Sequence, residues 1–384
     1  MFWIWSGFIL FVLFMLALDL GVFNRKAHVI GVREALKWSA MWISLGLAFS
    51  AFVYYGYENH WMGLGLAPDG TVARDNVDGQ LMEGRHATVK YITGYVIEKS
   101  LSVDNIFVIA MVFTYFKVPA MYQHRVLFWG ILGALVMRGA MIGLGAVLLA
   151  RFHWIIYIFG GFLILTGLKM LFSKEEDAAD IGDNFLVRQT RRLLPVTNNY
   201  HGQHFFVRAG SAASHEPEIV ESGASSQGAA DAKPGPVDAA VEGVKAGTLM
   251  LTPLMLALIV VEFTDLIFAV DSIPAIFAIT GDPFIVFTSN VFAILGLRSL
   301  YFALAGMITL FRYLKISLAL VLTLVGVKML IAKQLKEWVG ENFNFYLLGV
   351  IFLILAAGVI ASIMANKRDE QDGKLEPPPG VDQV

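Results

Sequence analysis

The chain has 384 residues, of which 57% are apolar and 16% charged, against roughly 45–50% and 25% in soluble domains. Its 29 Lys and Arg against 31 Asp and Glu give a formal net charge of −2, which excludes a chain held to nucleic acid by bulk positive charge. The absence of cysteine removes disulfides, iron–sulfur clusters, thiolate zinc sites and cysteine nucleophiles together, and a mean hydropathy of +0.65 lies beyond any ordinary water-soluble globule.

A helix that crosses a bilayer needs about 20 mostly apolar residues. Nine segments qualify: 2–23, 38–56, 90–115, 126–149, 154–172, 248–279, 285–310, 316–332 and 344–364. The expected fold is all-α, a polytopic membrane bundle. The first segment is too long, and lacks the small-residue cleavage pattern, for a removable signal peptide. Helices 1 and 2 make an N-terminal unit over 1–56. Their connection carries Arg25, Lys26, Arg33 and Lys37, with Asp19 near its start as an accessory acid. Residues 57–89 form a polar, acidic loop. By the positive-inside rule the N-terminus and this loop face outward, and the tail (367–384) with Lys367 and Arg368 is cytoplasmic.

Helix 3 contains Glu98-Lys99-Ser-Leu-Ser-Val-Asp104-Asn105-Ile. Arg138 sits mid-span in helix 4, and helix 5 ends in TGLKML, with Lys169. After a long connection, 173–247, the pattern returns. Helix 6 contains Asp265-Leu-Ile-Phe-Ala-Val-Asp271-Ser272-Ile, Arg298 sits mid-span in helix 7, and helix 8 ends in VGVKML, with Lys328. Helices 3–5 (90–172) and 6–8 (248–332) therefore read as two copies of a three-helix unit. An odd number of crossings reverses direction, so the copies are inverted, an architecture that places substrate at the midplane between the halves. Helix 9 (333–366) stands outside the repeat.

In the connection, FFVR reads as a short strand. The Ala/Ser/Gly/Pro-rich stretch 211–246 buries too little apolar surface to order itself and reads as a flexible tether that could dock a protein partner. His201, His204 and His215 read as ordinary polar loop residues.

Ionisable groups at bilayer depth cost about 2.5–3.5 kcal/mol each on insertion scales. Five acids lie there, Glu98, Asp104, Glu262, Asp265 and Asp271, with three deep bases, Lys99, Arg138 and Arg298. If all are charged the balance is −2, which one divalent cation would neutralise. Lys169 and Lys328 are near helix ends and can snorkel. Glu262 and Asp265 share a helical face. Pro274 is expected to bend or unwind helix 6 and free carbonyls beside Asp271 and Ser272. Asn105 and Ser272 add neutral oxygens. Carboxylate, amide, hydroxyl and carbonyl ligands suit magnesium, calcium or manganese, and favour neither copper nor zinc. The bland alternative is that Glu98 and Asp265 pair with Arg138 and Arg298 to fix helix packing. No Walker loop, GxSxG, HExxH or Rossmann fingerprint stands in a workable context, so neither an enzyme nor a resident cofactor is expected.

VIEKSLSVDNIFV in helix 3, VEFTDLIFAVDSIPAIFAIT in helix 6 and SNVFAILGLRSLYFAL in helix 7 resemble the TerC family of integral membrane proteins, nearest its Alx branch. LALDLGVFNRKAH, REALKWSAMWI and YIFGGFLILTGLKM agree as well. The resemblance departs at 211–246 and in the longer loop between helices 2 and 3. It implies a bacterial inner-membrane protein linked to manganese efflux, to metal or alkaline stress and to tellurite resistance, with the family's acids at Glu98, Asp104, Glu262, Asp265 and Asp271. The expected function is manganese export by alternating access. Asp104 and Asp271 are the expected direct ligands, Asn105 and Ser272 assist them, and Arg138 and Arg298 hold the acids when no metal is bound. Calcium or general divalent transport, and a non-transporting scaffold in a stress-response or secretion complex, are the alternatives. A homo-oligomer is compatible with either.

Overall fold

A computed structural model describes residues 2–18, 31–152, 154–172, 190, 195–197, 200–208, 248–304, 313–340 and 343–371. Asp19, His215 and the tether 211–246 lie outside these.

Helix α1 (Phe2–Leu18) buries Ile4, Phe8, Val12 and Leu16, one residue per turn, and leaves Phe2, Trp3, Leu10 and Phe14 exposed. That is a single packed stripe on a helix otherwise apolar all round, as a lipid-facing helix requires. Helix α2 (Val32–Glu58) follows, then a single 3-10 turn at Trp61–Gly63. Next come α3 (Gly84–Tyr115), α4 (Ala120–Arg151) and α5 (Ile155–Phe172). Strand β1 (Phe206–Arg208) pairs antiparallel with β2 (Leu249–Leu251). The second half comprises α6 (Pro253–Phe277), α7 (Pro283–Leu295), α8 (Leu297–Leu304), α9 (Leu314–Leu330), α10 (Ala332–Val339) and α11 (Phe343–Gln371).

The start of α6 corrects the expected helix 248–279. Residues 249–251 are strand, because Pro253 lacks an amide hydrogen and sits at the first helical position, where none is needed. The Thr252 side chain caps the helix by accepting from the Met255 amide. Asp282 caps α7 in the same way, accepting from Phe284 and Ile285 at 2.9 and 3.2 Å ahead of Pro283.

Helix α6 also runs through Pro274 to Phe277. Pro274 falls in its last turn, so the helix does not unwind beside Asp271. The interruption in this half lies instead at Gly296, between α7 and α8, where Lys99 Nζ donates to the Ala293 carbonyl at 3.1 Å.

Among the described residues, six helical stretches are long and apolar enough to cross a membrane: Val32–Glu58, Ala120–Arg151, Ile155–Phe172, Pro253–Phe277, Pro283–Leu304 and Phe343–Asn366. Helix α3, 32 residues long, carries Glu98, Lys99 and Asp104, and α1 and α9 have 17 residues each, the lower limit of a span.

The packing is reciprocal. Helix α3 lies against α7 while α6 lies against α4, and α3 and α6 touch each other. Helices α5 and α9 make the most extensive helix pair. A Cβ on Gly167 would meet the Ala319 carbonyl at 2.7 Å and the Thr323 side chain. A Cβ on Gly326 would meet the Gly160 carbonyl at 2.8 Å and the Ile164 side chain at 2.9 Å. One sequence offset carries Gly167 to Gly326, Gly160 to Ala319 and Ile164 to Thr323, so the two contacts mirror one another.

Candidate functional site

Residues seven apart return to nearly the same side of a helix, whereas six apart leave about 120° between them. Glu98 and Asn105 on α3 are seven apart, as are Asp265 and Ser272 on α6. All four are buried and face one point. Arg138 enters from α4 and Asn290 from α7, both buried as well.

The Arg138 guanidinium grips Asp265 with two parallel bonds, Nε to Oδ2 at 3.1 Å and Nη2 to Oδ1 at 2.8 Å, the strong bidentate geometry. Its Nη1 donates to Glu98 Oε1, to Asn290 Oδ1 at 3.2 Å and to Ser272 Oγ at 3.4 Å. Asn105 Nδ2 donates to Asp265 Oδ1 at 2.8 Å. One cation thus holds two acids from the two halves of the chain. Its neighbours are not all satisfied. Glu98 Oε2, Asn105 Oδ1 and Asn290 Nδ2 are buried without a hydrogen-bond partner, which in a native protein calls for an explanation such as an ion or water. Asn105 and Asp265 also line a cavity of about 10 Å³ with Gly130, Ala134 and Val261, near the smallest that holds one water.

The structure brings together Glu98, Asn105, Arg138, Asp265 and Ser272. It does not bring Asp104 and Asp271 to this point. Both are half-buried. Asp104 feels the charge of Lys315 at the start of α9. Asp271 accepts from the Thr166 hydroxyl and feels Lys169, both on α5. The six-residue spacing is the reason: it turns each acid off the shared face. Glu262 lies one turn from Asp265, its carboxylate packed where a Cβ on Gly133 would stand, with Oε2 unpartnered. Arg298 is buried at the start of α8, just past Gly296. Asn290 was missed from sequence because an uncharged amide in an apolar helix carries no burial penalty large enough to single it out. Among the described residues no group of three His, Cys, Asp or Glu is placed to hold a metal ion. Another cavity, about 480 Å³, lies away from these charges. It is lined by Trp3, Phe8, Phe49, Phe52 and Trp61 beside Phe284, and its apolar wall gives an ion nothing to bind.

A second buried charge cluster lies at the end of the bundle that carries loop 57–89. Lys90, fully buried on α3, donates to Asp75 Oδ2 and Asp78 Oδ1, both at 2.9 Å. Asp75 also accepts from the Thr280 hydroxyl, from the Gly281 amide at 3.0 Å and from the Val77 amide at 2.8 Å. Asp78 accepts from the Gln80 amide at 3.0 Å and from Asn344 Nδ2 at 2.8 Å. Burial pushes the Asp75 carboxyl up, but the Lys90 ammonium and the hydrogen bonds more than offset it and hold the group below its ordinary value. Burial wins at Asp282, which stays above its ordinary value although Tyr57 donates to it at 2.9 Å.

Apolar helices of spanning length that close around a charged centre define a multi-pass integral membrane protein. The family model described as "Integral membrane protein TerC family" matches residues 83–370, and the chain belongs to that family. It is 45% identical over 365 residues, 95% of this chain and 93% of the relative, to "Uncharacterized membrane protein STKORF319" of Myxococcus xanthus. It is 42% identical over 372 residues, 96% of this chain and 97% of the relative, to "Putative membrane-bound redox modulator Alx" of Escherichia coli K12. A further "Uncharacterized membrane protein" of Rickettsia bellii is 34% identical over 94% of this chain and 97% of its own length. No solved structure matches.

Proposed function

We propose that this protein is a divalent-cation transporter that exports manganese from the cytoplasm by alternating access. The observation that carries the reading is the meeting of Glu98 and Asp265, one acid from each half, with Asn105 and Ser272, around an arginine that leaves buried oxygens unpartnered. In this reading Arg138 is a built-in cation that holds the acids between transport cycles, and the substrate ion displaces it. Asp104 and Asp271 flank the centre as staging carboxylates. Glu262, beside the small cavity's helix, is an additional ligand or proton-exchanging group. The donor set selects a hard divalent ion; the choice of manganese over calcium rests on the family resemblance.

Two oppositely oriented three-helix repeats, α3–α5 and α6–α9, would supply the two access states, within nine spans. The reciprocal packing of α3 on α7 and α6 on α4, and the mirrored Gly167 and Gly326 contacts, support that symmetry. The orientation in the bacterial inner membrane follows from the loop charges, with the N-terminus and loop 57–89 outside and the C-terminus cytoplasmic. The redox modulation named for the Alx relatives cannot run through a thiol of this chain, which has no cysteine.

A second reading is favoured by one observation: Arg138 already pairs with both acids, and among the described residues no group of three His, Cys, Asp or Glu is placed for a metal. The centre would then be a structural pair in a scaffold protein. Flux separates the two. In proteoliposomes, Asp265→Asn and Glu98→Gln are expected to lower manganese flux by about 100-fold or more, the usual weight of a group that contacts the moving charge. Both variants should still insert and purify as the wild type does. Competition by calcium and magnesium ranks the cargo. Wild-type flux no greater than that of empty vesicles would establish the scaffold, and wild-type flux in either variant would remove that acid from the transport site.

A further inference from the structure

We propose that loop 57–89 is the outer gate of the transport path and that Asn344 is its latch; this rests on the transporter reading above. Helices α5, α9 and α11 pack as one unit, and α3, α4, α6 and α7 as another. The seam between them is largely apolar: Ile97 on α3, Ala275 on α6 and Ala278 and Ile279 just past its end meet Val321, Leu322 and Val325 on α9 and Leu347 and Ile351 on α11. Along its length the described bond across it is the one Asp271 accepts from the Thr166 hydroxyl on α5, so the polar ties at the loop end weigh heavily on whether that end opens.

At the loop end those ties are few and specific. Asn344 Nδ2, at the start of α11, donates to Asp78 Oδ2 and Gln80 Oε1, both at 2.8 Å. Lys328 Nζ on α9 donates to the Ala278 carbonyl at the end of α6 at 2.6 Å. The loop also reaches the first unit, through Asp75 and Asp78 to Lys90 on α3 and through Asp75 to Thr280 and Gly281 in the α6–α7 turn. The loop therefore straddles the seam, riveted on one side by charges and fastened on the other by a neutral amide. A hydrogen bond from a neutral amide, even to a carboxylate, contributes less, net, than a buried charge pair resists losing. The loop therefore parts from α11 at Asn344 before it leaves α3 and the α6–α7 turn. Asn344 is a positioning residue: it contacts the loop and not the ion.

The chain has no cysteine, so introduced pairs report without background. In the full-length chain, Asp78→Cys with Asn344→Cys, and separately Gln80→Cys with Asn344→Cys, are oxidised in proteoliposomes. Manganese flux is expected to fall roughly ten-fold or more on cross-linking and to return on reduction, because a gate held shut stops alternating access. Equal flux in the cross-linked and reduced chains overturns the gate, since a merely structural contact is only strengthened by a bond. An independent readout uses Ala275→Cys, buried in the seam. Adding Asn344→Ala should raise its labelling by a membrane-impermeant maleimide from the loop side roughly five-fold, the effect of one net hydrogen bond on an opening equilibrium. Asn344→Gln should raise it less. Unchanged labelling overturns the latch. This arm needs no flux, so a wild-type chain that moves no divalent ion while Asn344→Ala exposes position 275 defeats the transporter reading and leaves the latch standing.

Discussion

The two buried charge clusters share a plan and differ in completeness. In each, one cation holds two carboxylates: Arg138 with Glu98 and Asp265, Lys90 with Asp75 and Asp78. Around Lys90 each carboxylate oxygen has a donor, from an amide, a hydroxyl or the ammonium. Around Arg138 two oxygens, Glu98 Oε2 and Asn105 Oδ1, are left without a donor and Asn290 Nδ2 without an acceptor. Taking charge out of water is repaid only when the remaining lone pairs are satisfied. The carboxylates of the Lys90 cluster are therefore fully held. The Arg138 cluster keeps unused oxygen in the middle of the bundle. Identical charge counts thus accompany different degrees of completion, and under the proposed transporter reading the incomplete one is where cargo would bind.

The sharpest way to break this comparison is to remove each cation in turn. Lys90→Met leaves two buried carboxylates fixed by their other donors, and should cost about 3–5 kcal/mol, the usual penalty for orphaning a buried charge. Thermal unfolding in detergent measures it, and added manganese should not restore the loss. Arg138→Met is expected to behave differently. It frees Glu98, Asp265 and the neighbouring amide oxygen for a divalent ion, so manganese at a hundred times its dissociation constant should return about 2.7 kcal/mol of stability. Manganese stabilising both variants alike, or neither, would erase the distinction between the clusters.

Much of this was legible from sequence, and what was not has a physical reason. Charges at bilayer depth are rare enough to announce themselves, so Glu98, Asp265 and Arg138 stood out on cost alone. The strand at Phe206–Arg208 was also readable, its partner at Leu249–Leu251 less so, because an apolar run before Pro253 looks like helix until the proline is given its place at the first turn. The structure does not bring Asp104 and Asp271, the expected direct ligands, to the arginine centre. A motif read along the chain gives equal standing to positions six and seven apart, and only the rotation of a helix separates them. Pro274 drew the expected break to α6, while the break falls at Gly296, where the Ala293 carbonyl is taken up by Lys99. The loop cluster left no trace, since acids in a polar loop are normally solvated. Its one signal was Lys90 at the start of an apolar helix, which only a partner could justify.

The smallest expected effect concerns acid, and it tests whether the loop cluster is as complete as its geometry. The Asp75 carboxyl is held below its ordinary value of about 3.9. A carboxylate depressed by folding adds stability that is fully present above its unfolded value and fades as the pH drops through the folded one. The fastening of the loop should therefore be unchanged from neutrality down to about pH 5 and loosen only below about pH 4. Hydrogen exchange of the amides in residues 73–82, corrected for the intrinsic rate at each pH, follows it directly. Protection that already declines near pH 6 would mean that burial, not Lys90, governs Asp75. The loop would then be a titrating element in its own right, and the contrast with the arginine centre would have to be drawn from the unpartnered oxygens alone.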